Sequence, residues 1–136
     1  RYKQLEELVE VFCHIPYALE IYGRFDDLVR YKKLLSKKSD NIAINNIVLS
    51  EDEYYSKLGR AKFSILPYCM DQYISRTSGV LLESLYIGTT PIAPIQLLTQ
   101  NQLPGYGYNN LNDLIDCAWQ NADIPQINEF FNMLLA

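Results

Sequence analysis

The chain has 136 residues, of which 49% are hydrophobic and 21% are charged, and its formal net charge is −4. That length suits one domain, residues 1–136, with a sizeable core, and the composition is ordinary for a globular protein. No apolar run of about 18 residues occurs, so we expect no membrane-spanning helix. The negative charge argues against a nucleic-acid partner, which favours basic stripes. The sequence begins with an arginine rather than a methionine, so we interpret it as part of a longer protein.

The cysteines and the histidine give no sign of a metal site. Cys13, Cys69 and Cys117 lie far apart and form no CxxC pair. This pattern favours a reducing compartment and predicts three small buried side chains rather than a disulfide framework. His14 is the single histidine of the chain, and we interpret it as a loop residue after the first helix. We therefore predict that the chain binds no metal.

The first part of the chain alternates between helical and strand patterns. Residues 2–13 carry apolar side chains at i, i+3, i+4 and i+7, which predicts a helix. Residues 18–22 alternate and are rich in strand formers, so we predict a strand that ends at Gly23. Residues 25–37 return to helical spacing, and residues 41–49 are strand-like.

The next part contains two explicit helix signals. Ser50 and Glu53 form an S-x-x-E capping box, which predicts the start of a helix. Residues 63–68 are a short apolar run, typical of a buried parallel strand. A helix is predicted over 78–87, with Gly88 in the left-handed position after its last turn.

The last part is less regular. Residues 90–95 predict a further short strand, and residues 101–110 a loop, because they are rich in Pro, Gly and Asn. Asn110 and Asp123 are each placed to open a helix. The full order is then α-β-α-β-α-β-α-β-α-α.

Alternating strands and helices require crossover connections, so this order predicts an α/β fold: a parallel sheet with helices on both faces. Ligands of such sheets bind beyond the carboxyl ends of the strands. We call these ends and the loops that follow them the strand-end rim. Its predicted members are Gly23 and Arg24, Leu49 and Ser50, Tyr68 and Cys69, and Pro94 and Ile95.

The helix predicted over 78–87 points its N-terminus at this rim. Helix N-termini carry free amides and a partial positive charge, which suit a phosphate. Thr77 and Ser78 add hydroxyls there, and Gly79 lets the backbone approach a ligand closely. Arg76 adds a cation. Glu83 lies about one turn further on, where a carboxylate can accept from ribose hydroxyls. This pattern indicates a nucleotide, although Ser78-Gly79 alone also fits an ordinary helix start and Glu83 alone an exposed helix residue.

Other known signatures are absent from the sequence. It contains no G-x-G-x-x-G, Walker A or G-x-S-x-G motif, and no Ser/His/Asp triad candidate. Among its eleven tyrosines, Tyr68 is the candidate ligand contact, because it stands at a strand end on the rim.

The ordered segments "LEIYGR", "NNIVLSEDEYYSKLGRAKFSILPY" and "SGVLLESLYIGTTPIAP" resemble a known family. They are similar to the C-terminal, donor-binding domain of GT-B-fold glycosyltransferases of the group 1 type. That domain carries the pattern G-x-x-x-x-E-A-x-x-x-G-x-P-V-I-A after a strand that ends in Pro. The resemblance covers nearly the whole chain. It implies a Rossmann-like three-layer α/β/α sandwich, the C-terminal half of a GT-B enzyme, which holds a nucleotide-diphosphate sugar as donor substrate and needs no other cofactor.

The resemblance also implies roles for individual residues. Glu83 matches the glutamate that hydrogen-bonds the ribose. The backbone after Gly79, which includes Val80, matches the segment that contacts the diphosphate. Val48 and Leu49 match the region that contacts the base.

Two further positions follow from the same resemblance. Arg1 or Lys3, near the start of the domain, would neutralise phosphate charge. Many members carry an E-x7-E pair whose first glutamate contacts the sugar, but the residue eight positions before Glu83 is Ser75. Asp71, in the same loop, is a candidate substitute.

The whole protein would then be a cytoplasmic enzyme, or one peripheral to the inner membrane face. It would contain an acceptor-binding N-terminal domain and transfer a sugar to a glycan or lipid-linked acceptor, as in bacterial surface polysaccharide synthesis. We expect the chain alone to be inactive as a transferase. The alternative interpretation is a non-catalytic, flavodoxin- or receiver-like interaction module. A receiver needs an acidic cluster at its first strand ends, which "EIYGRF" and "FSILPY" lack.

Overall fold

The computed structural model describes residues 2–67 and 79–121 of the chain. Its helices are α1 Tyr2–Phe12, α2 Leu28–Lys37, α3 Glu51–Arg60, α4 Gly79–Ile87 and α5 Ile95–Gln100. Its strands are β1 Leu19–Gly23, β2 Ile42–Asn46, β3 Phe63–Ile65, β4 Thr90–Pro94 and β5 Tyr106–Tyr108. Two 3₁₀ helices follow, at Leu111–Leu114 and Ala118–Asn121. The elements from α1 to β4 appear in the predicted order.

The strands pair in parallel, as predicted, but they do not form one sheet. β1 and β2 make a two-stranded sheet, and a three-stranded sheet has the order β3-β4-β5. Within residues 2–67 and 79–121, β1 and β3 each have a strand neighbour on one side only. The expectation of a single continuous sheet is therefore wrong for this part of the chain.

The starts of α2 and α3 follow from short polar side chains. At α3 the Ser50 hydroxyl accepts from the Glu53 amide and the Glu53 carboxylate accepts from the Ser50 amide, each at 3.2 Å. The predicted capping box is thus confirmed. At α2 the Asp27 carboxylate accepts from the Arg30 amide at 3.1 Å. That cap places the helix start at Leu28, three residues later than the apolar spacing suggested.

The end of α4 is fixed by a left-handed glycine and a buried hydroxyl. Gly88 has φ +93°, as predicted for the residue after the last turn. The Thr89 amide donates to the Ser84 carbonyl at 2.8 Å, which closes the turn. The Thr89 hydroxyl donates to the Leu58 carbonyl at 2.6 Å and so ties the end of α4 to α3.

Two predicted strands are shorter than expected. The strand predicted over 41–49 ends at Asn46, whose side-chain oxygen accepts from the Phe25 amide at 2.9 Å. The strand predicted over 63–68 is confined to β3. Pro67 lacks an amide for continued pairing, and Tyr68 lies outside the described residues.

The chain after β4 departs most from expectation. Residues 95–100 form α5, and β5 lies inside the predicted loop 101–110. The helix predicted from Asn110 is replaced by the two 3₁₀ helices, which Cys117 separates with φ +60°. The helix predicted from Asp123 lies outside the described residues.

Buried apolar side chains lie on both faces of β4. Ile92 packs in a cluster with α1, α2, β1 and β2, whereas the next residue, Ala93, packs in a cluster with α4 and α5. Consecutive strand residues point to opposite faces, so these helices cover opposite sides of the sheet. The fold is α/β with parallel sheets and helices, which is compatible with a Rossmann-like domain.

Candidate rim site

Four predicted site residues meet at one cavity. Gly23 at the end of β1, Arg24 directly after it, and Val48 and Leu49 after β2 line a cavity of about 990 Å³. Pro67, two residues after β3, lines the same cavity. Parallel pairing brings these ends together, because β1 and β2 run in register from Leu19 opposite Ile42 to Gly23 opposite Asn46. The carboxyl ends of three strands thus share one opening.

The part of the rim after β2 is apolar and accessible. Val48 is 67% exposed and Ile47 is 49% exposed. Arg24 is an exposed cation on the same cavity. This opening therefore offers apolar side chains for a planar ring and a positive charge for an anion.

The start of α4 is a second part of the candidate site. Gly79 and Val80 are exposed, and Glu83 is half-buried. The Oε1 atom of Glu83 lies 3.7 Å from the position that a Cβ on Gly79 would occupy. The carboxylate is therefore turned toward the N-terminal end of α4, although Gly79, Val80 and Glu83 do not line the cavity.

A hydrogen-bonded pair of serines holds α4 against β3. The Ser64 hydroxyl on β3 donates to the Ser84 hydroxyl at 2.8 Å, and the Ser84 hydroxyl donates to the Val80 carbonyl at 2.8 Å. Ser84 is fully buried. This contact positions the start of α4 relative to the sheet. The sequence analysis does not predict this contact, because each serine occurs singly within a mostly apolar segment. A hydroxyl residue in each of two apolar segments that pack together is the signal that could have indicated it.

Several predicted residues cannot be placed. Tyr68, Arg76, Thr77 and Ser78, the sugar-contact candidates Asp71 and Ser75, and Arg1 all lie outside the described residues. Lys3 lies in the first turn of α1.

The predictions for the cysteines are only partly testable. Cys13 is exposed and Cys117 half-buried, so the expectation of buried side chains is wrong for Cys13; Cys69 lies outside the described residues. Cys13 ends up exposed because it follows the last turn of α1 rather than facing the core. His14 is an exposed turn residue after α1, as predicted.

The described residues contain neither a metal-binding cluster nor a helix of membrane-spanning character. No group of three or more His, Cys, Asp or Glu that could hold a metal ion occurs in residues 2–67 and 79–121. Over the same ranges, every helix is too short or too polar to cross a membrane.

The chain was also compared with known proteins. No protein-family model, no curated protein and no solved structure matches it.

Proposed function

We propose that this chain is the donor-binding domain of a glycosyltransferase, which uses a nucleotide-diphosphate sugar. The observation that carries the proposal is the opening at the strand-end rim, where Gly23, Arg24, Val48 and Leu49 line one cavity. Ligands of parallel α/β sheets bind at this edge, beyond the carboxyl ends of the strands. The resemblance of the sequence to GT-B donor domains supports the same class of ligand.

In this proposal each part of the rim binds one part of the donor. The apolar side chains of Val48 and Leu49 contact the base. The amides at the start of α4 bind the diphosphate, and the Glu83 carboxylate accepts from the ribose hydroxyls. Arg24 supplies a cation near the phosphates.

The chemistry of such a site is largely electrostatic. When the glycosidic bond to the diphosphate breaks, negative charge develops on the leaving phosphate. Helix amides and cations that are already oriented stabilise that charge, which lowers the barrier. The sugar acceptor and its binding domain would belong to the whole protein, so the chain alone binds the donor without transferring the sugar.

Calorimetric titration tests the proposal. The chain is titrated with UDP, GDP and ADP, and with uridine and inorganic pyrophosphate as the separate halves of one ligand. We expect saturable binding of at least one nucleoside diphosphate, and weaker binding of either half.

A matched pair of arginine variants locates the binding. Arg24→Gln removes the cation at the rim, whereas Arg60→Gln removes an exposed cation from the last turn of α3. A charge-assisted contact is worth about 1.5–3 kcal/mol, so Arg24→Gln should weaken binding about tenfold or more and Arg60→Gln should not. Equal affinities in the two variants, or no saturable binding by the wild-type chain, would contradict the proposal.

A further inference from the structure

The cavity that opens at the rim continues inward as a groove between the two sheets. It is lined along β1 from Ala18 to Arg24 and along β3 from Lys62 to Ile65. We call this space, between the facing edges of β1 and β3, the strand groove. It runs the full length of both strands, whereas a ligand of a parallel sheet binds only beyond their carboxyl ends. A ligand at the rim would therefore leave the rest of the groove empty, so the groove has room for a second occupant.

The backbone of β1 faces the groove at alternate residues. The Leu19 amide donates to the Asn41 carbonyl beside β2 at 2.9 Å, so Leu19 uses its backbone on the β2 side. Because successive residues of a strand direct their amides and carbonyls to opposite sides, Glu20 and Tyr22 direct theirs into the groove.

The backbone of β3 behaves in the same way. The Leu66 amide donates to the Ile92 carbonyl of β4 at 2.8 Å. By the same alternation, Phe63 and Ile65 direct their amides and carbonyls into the groove. Two strand edges thus face each other across it, each with regularly spaced donors and acceptors.

Apolar side chains close the groove on both faces. One wall comes from α1 and the other from α3, and the lining side chains are Leu5, Leu8, Phe12, Tyr54 and Leu58. The ammonium of Lys57 on α3 lies 5.2 Å from the ring centre of Tyr22 on β1, so α3 reaches across the groove on its way from β2 to β3. A strand in the groove would be covered on both faces, as central parallel strands are.

The partial burial of β1 and β3 also indicates that each lacks a neighbouring strand on its groove side. β4 has neighbours on both sides, and its Ile92 and Ala93 are 0% exposed. All three residues of β3 are only half-buried, and so are four of the five residues of β1, although both strands are mostly apolar. Their exposed surface is what a strand in the groove would cover.

We propose that the strand groove is filled by an extended segment of the same polypeptide, the residues that directly precede α1. This segment would pair with β1 on one side and β3 on the other and join the two sheets into one, in the order β2-β1-segment-β3-β4-β5. The proposal does not depend on the proposed nucleotide site.

The direction of α1 identifies this occupant. The Asn41 side chain at the start of β2 donates to the Phe12 carbonyl at 3.1 Å, so α1 ends at the amino ends of β1 and β2. An 11-residue helix and a 5-residue strand are both about 16 Å long, so α1 begins near the opposite, rim end. A strand that leads into α1 therefore ends at the rim, parallel to β1 and β3.

That path is also the usual one for the chain. A strand, a covering helix and a neighbouring parallel strand form the common βαβ unit, here segment-α1-β1. Since apolar side chains from α1 and α3 line both faces, we expect four to six mostly aliphatic residues without an interior proline.

Hydrogen exchange tests the proposal on the chain extended by its natural preceding residues. The readout is the four groove-facing amides, those of Glu20, Tyr22, Phe63 and Ile65. In the 136-residue chain we expect them to exchange faster than the Ile21 amide, which pairs with β2. In the extended chain they should slow at least about tenfold relative to that amide.

A proline in the middle of the added segment is the matched control, because proline cannot pair in a central strand. It should restore fast exchange or, where the 136-residue chain does not fold alone, prevent folding. The exchange rates of the four groove-facing amides decide the question. Unchanged exchange when the chain is extended, or equal protection of the amides in the proline variant, would overturn the proposal. The proposal would also be wrong if these amides were already protected in the 136-residue chain, either by another part of the chain or by a second copy detected in sedimentation. A natural preceding sequence without an aliphatic run would contradict it as well.

Discussion

The Glu83 carboxylate turns back along its own helix toward Gly79: its Oε1 lies 3.7 Å from the position that a Cβ on Gly79 would occupy. At that distance a methyl group makes an ordinary contact, so Gly79→Ala should leave the carboxylate in place. A larger side chain would compete with it for space.

The first prediction concerns that carboxylate. Glu83→Gln should weaken nucleoside diphosphate binding about tenfold, because the charged acceptor for the ribose hydroxyls is lost. Calorimetric titration measures the affinities of Glu83→Gln and of its control, Glu10→Gln, which removes an exposed acid on α1. Equal loss in Glu83→Gln and Glu10→Gln would assign the effect to net charge instead of a contact.

The second prediction concerns the turn between α1 and β1. The Asn41 side chain donates to the carbonyls of Phe12, Ile15 and Tyr17 at 3.1, 2.8 and 2.8 Å. Asn41→Ala should lower the free energy of unfolding by about 1–3 kcal/mol, since it leaves these acceptors without this donor. Urea denaturation measures the loss.

Asn45→Ala is the control for Asn41→Ala, because the Asn45 side chain makes one longer contact, to the Ile21 carbonyl at 3.4 Å. Its effect should stay within about 0.5 kcal/mol. Similar losses in the two variants would contradict the role given to Asn41.

The third prediction compares two glycines. A Cβ on Gly107 in β5 would lie 2.8 Å from the Ile95 Cγ1 atom and 3.0 Å from the Ile95 Cα atom, so the backbone of α5 would have to move. Gly107→Ala should therefore destabilise the fold by about 1–3 kcal/mol. A Cβ on Gly59 in α3 would lie 3.5 Å from Ile87, an ordinary contact. Gly59→Ala should stabilise by up to about 1 kcal/mol in thermal or urea unfolding, because alanine favours helix; the opposite order would refute the packing of β5 on α5.

The fourth prediction concerns pH. Hydrogen bonds from the Ser50 amide and hydroxyl hold the pKa of the Glu53 carboxyl below its usual value of 4.5. A lowered pKa in the folded state means that this contribution to stability is present above pH 4.5 and is lost as pH falls through the lower, folded-state value. An NMR titration of the Glu53 side chain should show the shift. Ser50→Ala should reduce the shift, because the hydroxyl is lost while the amide remains, and Ser56→Ala should leave it unchanged. A normal Glu53 pKa in the wild type would show that the capping box does not persist in solution.

The elements that the sequence predicts well have local causes. Ser50 and Glu53 satisfy each other's amides within four residues, and Gly88 adopts a conformation that other residues resist. Such signals do not depend on distant packing. For the same reason, the ends of the strand-like runs place Gly23 and Leu49 at the rim.

The elements that the sequence does not predict depend on contacts between residues far apart along the chain. Tyr106, Gly107 and Tyr108 have the composition of a loop, and they form a strand because β4 pairs with them and Ile95 leaves no room for a side chain at Gly107. The gap between β1 and β3 cannot be read from either strand alone, since the pattern within a strand does not say which strand lies beside it.

The most direct test of the proposed function is an NMR map of the backbone amides during titration with the best-binding nucleoside diphosphate. We expect saturable shifts at Gly23, Arg24, Leu49, Gly79 and Val80, with the amino ends of the strands unchanged. Shifts confined to the strand groove or to the far ends of the strands, or no saturable shift at any amide, would contradict a nucleotide-diphosphate site at the strand-end rim.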